Sequence, residues 1–217
     1  MGTFTSADGN DSPILAAGEM IFNFMVLNVL WVLCSLPVVT IGASTSAMNY
    51  TLIKLRNDEG DSVVRMFFRS LGQNVRQGTI LSTGMAAILI VLAAFFIQAI
   101  GNANAGHAVY VVISVIVLLL IFVWLLLFIY IFMVLARFDN PIGRTVTNAV
   151  YLICLEPFRA AKVFFIAVMM LLFIPLFLFM YFPFGFPMVI FFGIPVTGWL
   201  LSKEFNELFA RFIETPQ

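Results

Sequence analysis

Apolar residues in this chain come in long runs rather than at the spacing of a half-buried soluble helix or strand. A helix needs roughly 20 mostly apolar residues to cross about 30 Å of hydrocarbon. Five segments are long enough: residues 17–41, 78–100, 109–136, 162–181 and 184–202, to within a residue or two. A polar stretch to Gln77 separates the first two, and the linker GNANAG (101–106) joins the second to the third. The run Phe182-Pro183-Phe184-Gly185-Phe186-Pro187 leaves room only for a tight connection between the last two, because proline and glycine break helices. The pattern predicts an all-α integral membrane protein, one membrane domain with five transmembrane helices.

Two segments between the spans have a different periodicity. From Asp61 the chain reads DSVVRMFFRSLGQNVRQG. Asp61 or Ser62 is placed to cap a helix. Val63, Phe67 and Leu71 recur at i, i+4 and i+8, and Arg65, Arg69 and Arg76 gather on the other face. Such a helix lies at a membrane surface, apolar side inward and basic side toward headgroups. After the third span, Asn140-Pro141 reads as a cap with proline at the first helical position. Ile142, Val146, Ala149 and Ile153 form one face there, with Arg144, Asn148 and Tyr151 opposite. Glu156-Pro157 stops or kinks this second helix before span four. The two amphipathic helices are either membrane-hugging connectors or one platform that docks a partner.

Composition agrees with the membrane reading. Hydrophobic residues are 62% and charged residues 10% of the chain, against about 25% charged in a typical soluble domain. The 11 basic residues balance 11 acidic ones, which removes a nucleic-acid binder. Charge also sets the orientation. Lys54, Arg56, Arg65, Arg69 and Arg76 follow span one; Arg137, Arg144, Arg159 and Lys162 follow span three; Lys203 and Arg211 follow span five. The other connections hold none, so the N-terminus is expected outside, the C-terminus inside, and both amphipathic helices in the cytoplasm. The first 13 residues have no basic residue and no apolar core, so no cleavable signal peptide is expected. The sequon Asn10-Asp11-Ser12 is followed by Pro13 and carries no weight.

The one organised polar stripe lies in span one. Asn28, Ser35, Gly42 and Asn49 are spaced by seven, close to two helical turns, with Trp31 beside them. An asparagine in hydrocarbon needs a hydrogen-bonding partner, usually on a neighbouring helix. Pro37 lies within the stripe and frees a backbone carbonyl, either kinking the span or breaking it into two half-helices. Gly42 with Ser46, and Ala43 with Ala47, fit the small-xxx-small pattern of close helix approach. Helix packing is one reading of the stripe, and a substrate or ion site at a broken helix is the other.

Chemistry-bearing groups are sparse. No Asp, Glu, Lys, Arg or His falls near the middle of an expected span, which counts against an ion-coupled transporter. Five spans also lack the paired halves of common transporter folds. There is no GxxxxGK[ST], HExxH, CxxC or GxSxG. His107 is expected in a solvated outer loop, and Cys34 and Cys154 as small apolar packing residues. No catalytic residue, metal site or cofactor is expected.

Asn28-Val29-Leu30-Trp31 followed by Ser35-Leu36-Pro37-Val38-Val39-Thr40-Ile41-Gly42-Ala43-Ser44 resembles the signature of the YesL-type family of bacterial multi-pass membrane proteins, whose function is unknown. Phe67-Phe68, Asn74, Gln77, Ala136-Arg137-Phe138 and Asn148-Ala149 are also similar to positions of that family. The resemblance implies a bacterial cytoplasmic-membrane setting near carbohydrate ABC importers and glycan-degrading enzymes. No catalytic residues are established for the family, so none carries over.

The expected function is therefore a non-enzymatic accessory or regulatory protein associated with a carbohydrate ABC importer. Asn28, Trp31, Ser35, Pro37, Gly42 and Asn49 would shape its intramembrane interface, and Arg65, Arg69, Asn74, Arg76, Arg137 and Arg144 its surface toward a partner or anionic lipid. Permease subunits or a second copy of the chain are the candidate partners. The alternative is a small-solute transporter or channel using the stripe of the first helix.

Overall fold

The computed structural model describes residues 13–57, 62–104, 107–181 and 186–214. The sequon, Asp61, residues 105–106 of the linker and 182–185 of the tight connection lie outside the described residues. Among the described residues every element is helical: α1 (Pro13–Ser35), a 3₁₀ turn (Val38–Thr40), α2 (Ile41–Arg56), α3 (Val63–Asn104), α4 (Ala108–Arg137), α5 (Ile142–Leu155), α6 (Pro157–Val168), a π turn (Met169–Phe173), α7 (Ile174–Tyr181) and α8 (Phe186–Glu214). Four stretches among them are long and apolar enough to cross a membrane: Ala17–Ser35, Val63–Asn104, Ala108–Arg137 and Pro157–Leu176. The expected span 184–202 falls along α8, which continues as helix to Glu214. This is an all-α, multi-pass membrane fold.

The first expected span ends at Ser35 rather than near residue 41, because Pro37 breaks the helix. Proline has no N–H for the ladder, and it pushes the residue before it out of the helical region. Pro37 is extended (φ −73°, ψ 109°). The Thr40 hydroxyl lies 2.6 Å from the Cys34 carbonyl oxygen, which the break leaves without its helical partner, and 2.7 Å from that of Pro37, which also accepts the Thr40 N–H at 2.9 Å. After the 3₁₀ turn, α2 runs back along α1. The Trp31 Nε1–H donates to Thr45 Oγ1 at 3.1 Å, 14 positions later. Nearer the other end, Phe24 and Arg56 both touch Trp199. On one continuous helix those two residues would be about 48 Å apart.

The fold-back brings the two ends of the hairpin to the same end of the bundle. An outside start required a single crossing through residue 41. With the direction reversed at Pro37, the first turns of α1 lie at the end of the bundle that holds Lys54 and Arg56. The sorting of basic residues is untouched, since no Lys or Arg precedes α1.

A second revision concerns the amphipathic segment before span two. It is not a separate helix in the plane of the membrane but the first half of α3, a continuous helix of 42 residues. At 1.5 Å per residue α3 is about 63 Å long, roughly twice the hydrocarbon thickness. No glycine–proline break separates the two halves, so nothing ends the helix at Gln77. The buried face is the expected one: Val63 and Phe67 are buried and Leu71 half-buried, with Arg65, Arg69 and Arg76 exposed. The α1–α2 hairpin runs along this half. Its tip meets α3 at Ser82, whose Oγ donates to the Val39 carbonyl at 2.7 Å.

α4 returns antiparallel to α3, and the Trp124 indole N–H donates to the Met85 carbonyl at 3.1 Å. Its first half exposes Val112, Leu118 and Leu119, while Tyr130 to Ala136 are all buried. The outer halves of α3 and α4 thus carry much of the exposed apolar surface, and the inner half of α4 threads the bundle. α5 is the expected second amphipathic helix, with Thr145, Ala149 and Leu152 buried. Pro141 occupies its cap position and the helix begins at Ile142, one residue later than expected. Glu156 (φ −132°, ψ 75°) separates α5 from α6, which starts at Pro157. Span four is continuous but contains the π turn just before Pro175. A widened turn relieves the clash between a proline ring and the carbonyl four residues back.

Candidate functional site

The residues of the expected polar stripe do not share one helix. Asn28, Trp31 and Ser35 belong to α1; Gly42 and Asn49 belong to α2; Pro37 forms the turn between them. Asn28 is buried, Trp31 and Ser35 are half-buried, and Pro37 is exposed. The spacing of seven would align them only on an unbroken helix, and Pro37 breaks it. What the structure joins instead is Trp31 to Thr45, by the indole hydrogen bond across the hairpin.

Close helix approach is realised, with partners that the sequence alone did not name. A Cβ on Gly42 would overlap the ring of Phe132 on α4 and would lie 2.7 Å from the Gly78 carbonyl oxygen on α3. A Cβ on Gly78 would lie 2.6 Å from the Cα of Ala43. Gly42 and Gly78 therefore form the point where α2 presses between α3 and α4. Gly198 does the same on α8: a Cβ there would lie 2.6 Å from Leu52 Cδ1 and 3.3 Å from Asn49 Oδ1. Glycines at i in two long apolar helices were a readable signal, but which pair would meet depends on the crossing.

Two polar clusters at the basic end escaped the sequence reading. In the first, Arg56 at the end of α2 donates from Nε to Ser202 Oγ at 2.7 Å and from Nη2 to the Trp199 carbonyl, while its guanidinium lies 4.1 Å over the Trp199 ring. Partial burial lowers the Arg56 pKa from its ordinary value, and among the described residues its charge is compensated by a carbonyl, a hydroxyl and an aromatic face rather than a carboxylate. In the second, α6 and α8 are joined by ion pairs: Lys162 to Glu204 at 2.7 Å, Arg159 to Glu156 at 2.9 Å and to Glu207 at 3.6 Å, and Arg211 to Glu156 at 3.1 Å. The spacing Glu204, Glu207, Arg211 puts three charges on one side of a helix, a pattern visible in the sequence.

The remaining expected residues form a surface rather than a pocket. Arg65, Arg69, Arg76, Arg137 and Arg144 are all exposed, and Asn74 is half-buried with its amide 3.5 Å from Ser70 Oγ on the same helix. Arg69, Arg76, Arg137 and Arg144 make no ion pair among the described residues. His107 is exposed at the start of α4 and Cys34 is half-buried. Cys154 is exposed, so the packing role expected of it does not hold: it falls on the outward side of α5. No three His, Cys, Asp or Glu side chains come close enough to share a metal among the described residues.

These features define a class: a multi-pass helical membrane protein with a proline-turned hairpin, a glycine-mediated helix crossing and a basic end. Residues 24–95, from α1 through the hairpin and most of α3, match the model of a family described as "Protein of unknown function, DUF624". No curated protein and no solved structure matches the chain.

Proposed function

We propose that the chain is a YesL-type protein of the bacterial cytoplasmic membrane that acts without catalysis, as an accessory subunit docked to a carbohydrate ABC importer. One observation carries the docking reading. Among the basic residues at the inner end, three are neutralised internally by carboxylates and four are left to the outside. Arg159, Lys162 and Arg211 are paired with Glu156, Glu204 and Glu207. Arg69, Arg76, Arg137 and Arg144 are exposed without such partners among the described residues. Four unneutralised arginines fit a complementary acidic surface and steer association with it. The importer as partner rests on the resemblance alone.

The test is co-purification from the native host in mild detergent, comparing wild type with Arg69→Glu/Arg76→Glu and Arg137→Glu/Arg144→Glu. Loss of permease subunits from both variants, with membrane insertion intact, is the expected result. Retention of the permease in both would overturn it. Loss of anionic-lipid binding with no protein partner in the wild type would reassign the surface to headgroups. The alternative is a small-solute transporter or channel, with the residues of the stripe divided between the two arms of the hairpin.

A further inference from the structure

A cavity of about 350 Å³ lies between α2, α4, α6 with its π turn, and α8. Its size is at the low end of small-molecule sites, about 300–1,000 Å³. The wall is aromatic and aliphatic, including Phe128, Phe132, Phe164 and Leu172, and no charged residue lines it. Three polar side chains do: Thr45, Asn49 and Thr197. Two of them are committed. Thr45 accepts from Trp31, and the Thr197 hydroxyl donates to the Gly193 carbonyl at 2.6 Å.

Asn49 is different. It is 5% exposed and makes no hydrogen bond among the described residues. A buried carboxamide without a partner costs about 1–3 kcal/mol, and Asn49 lines the cavity. Gly198 sits directly beside it, where any larger residue would overlap Leu52 and crowd the amide. The site therefore offers a long apolar wall and a carboxamide whose donor and acceptor are both free.

We propose that this cavity binds one linear alkyl or acyl chain bearing a neutral oxygen group, an ester carbonyl or a hydroxyl, which pairs with the Asn49 amide. A sugar does not fit this wall, since its many hydroxyls would be left without partners. A carboxylate or phosphate head has no cation to meet inside. The ligand is either a membrane lipid, entering by one chain, or a free long-chain alcohol or ester. This site is independent of the docking surface on the arginines.

The experiment uses the whole protein in nanodiscs with a photoactivatable hexadecanol and the matching photoactivatable hexadecane. In the wild type, label is expected on lining residues of α4 and the π turn, and to favour the alcohol. Asn49→Leu should lower the alcohol-to-alkane labelling ratio about fivefold, the worth of one ordinary hydrogen bond. Val168→Phe, which fills the cavity from α6, should abolish labelling by both probes. Mass spectrometry of what co-purifies separates the sources: a phospholipid or glycolipid supports entry by one lipid chain, and a free alcohol or ester supports a soluble ligand. Either supports the site. Label outside the cavity, an unchanged ratio in Asn49→Leu, or undiminished labelling in a folded Val168→Phe protein would overturn it.

Discussion

The guanidinium of Arg56 lies 4.1 Å over the ring of Trp199, joining the last turn of α2 to α8 across 143 positions. With Phe24 edge-on to the same ring at 5.7 Å, this one indole holds the hairpin against the last helix. Removing the guanidinium takes away two charge-assisted hydrogen bonds and a cation–π contact together. Arg56→Ala should therefore destabilise the protein by about 2–3 kcal/mol. Arg56→Lys keeps the charge but not the planar fork, so it should recover only part of the loss. Thermal unfolding in detergent, followed by tryptophan fluorescence, reads both. Equal stability of all three would show that the contact does not hold the hairpin.

The glycine crossing makes a contrast within one helix. Gly78→Ala puts a methyl onto the backbone of Ala43 and should cost about 1–3 kcal/mol by overpacking. Gly72 and Gly84, also in α3, have nothing within 4 Å of a built Cβ. Alanine at either should be neutral or stabilise by roughly 0.5–1 kcal/mol, since glycine is the poorer helix former. If Gly78→Ala behaved like the other two, α2 and α3 would not meet where the structure puts them.

The hairpin gives a topology prediction. A tag ahead of α1 and a tag after α8 should both be protected from protease added outside intact cells, and both exposed on permeabilisation. His107→Cys should react with an impermeant maleimide from the outside, since it lies at the far end of α3 and α4 from the basic residues. Cleavage of the N-terminal tag in intact cells would restore a single crossing in place of the fold-back.

Two of the ion pairs around α6 and α8 share Glu156, which meets both Arg159 and Arg211. Arg211 is well exposed, so a double-mutant cycle on Glu156 and Arg211 should give less than about 1 kcal/mol and shrink with added salt. Glu204 is 8% exposed, and its bond to Lys162 is 2.7 Å long. Glu204→Ala strips the bundle side of that pair and should lower stability more than Arg211→Ala does, with a weaker salt dependence. The same ranking in high salt as in low salt would confirm that burial, not exposure, sets the difference.

Much of this molecule is determined by the sequence alone. Runs of apolar residues fix its helical, membrane-spanning character, because a backbone in hydrocarbon must satisfy its own hydrogen bonds. Local chemistry also marks Pro37 and Glu156-Pro157 as places where a helix kinks or stops, and fixes the buried faces of Val63-Phe67-Leu71 and Ile142-Val146-Ala149. Tertiary structure decided what local rules leave open. Pro37 allowed either a kink or a break, and only packing against α3 and α8 decided that the helix stops and α2 turns back. The lack of a proline between Arg65 and Gln77 let α3 run on unbroken where amphipathicity pointed to two separate helices. The spacing of Asn28, Ser35, Gly42 and Asn49 describes one face of a helix that does not exist as one. Arg56 with Trp199, Gly42 with Gly78, and Asn49 in its cavity are each set by how helices cross, a relation between distant segments that no local periodicity contains.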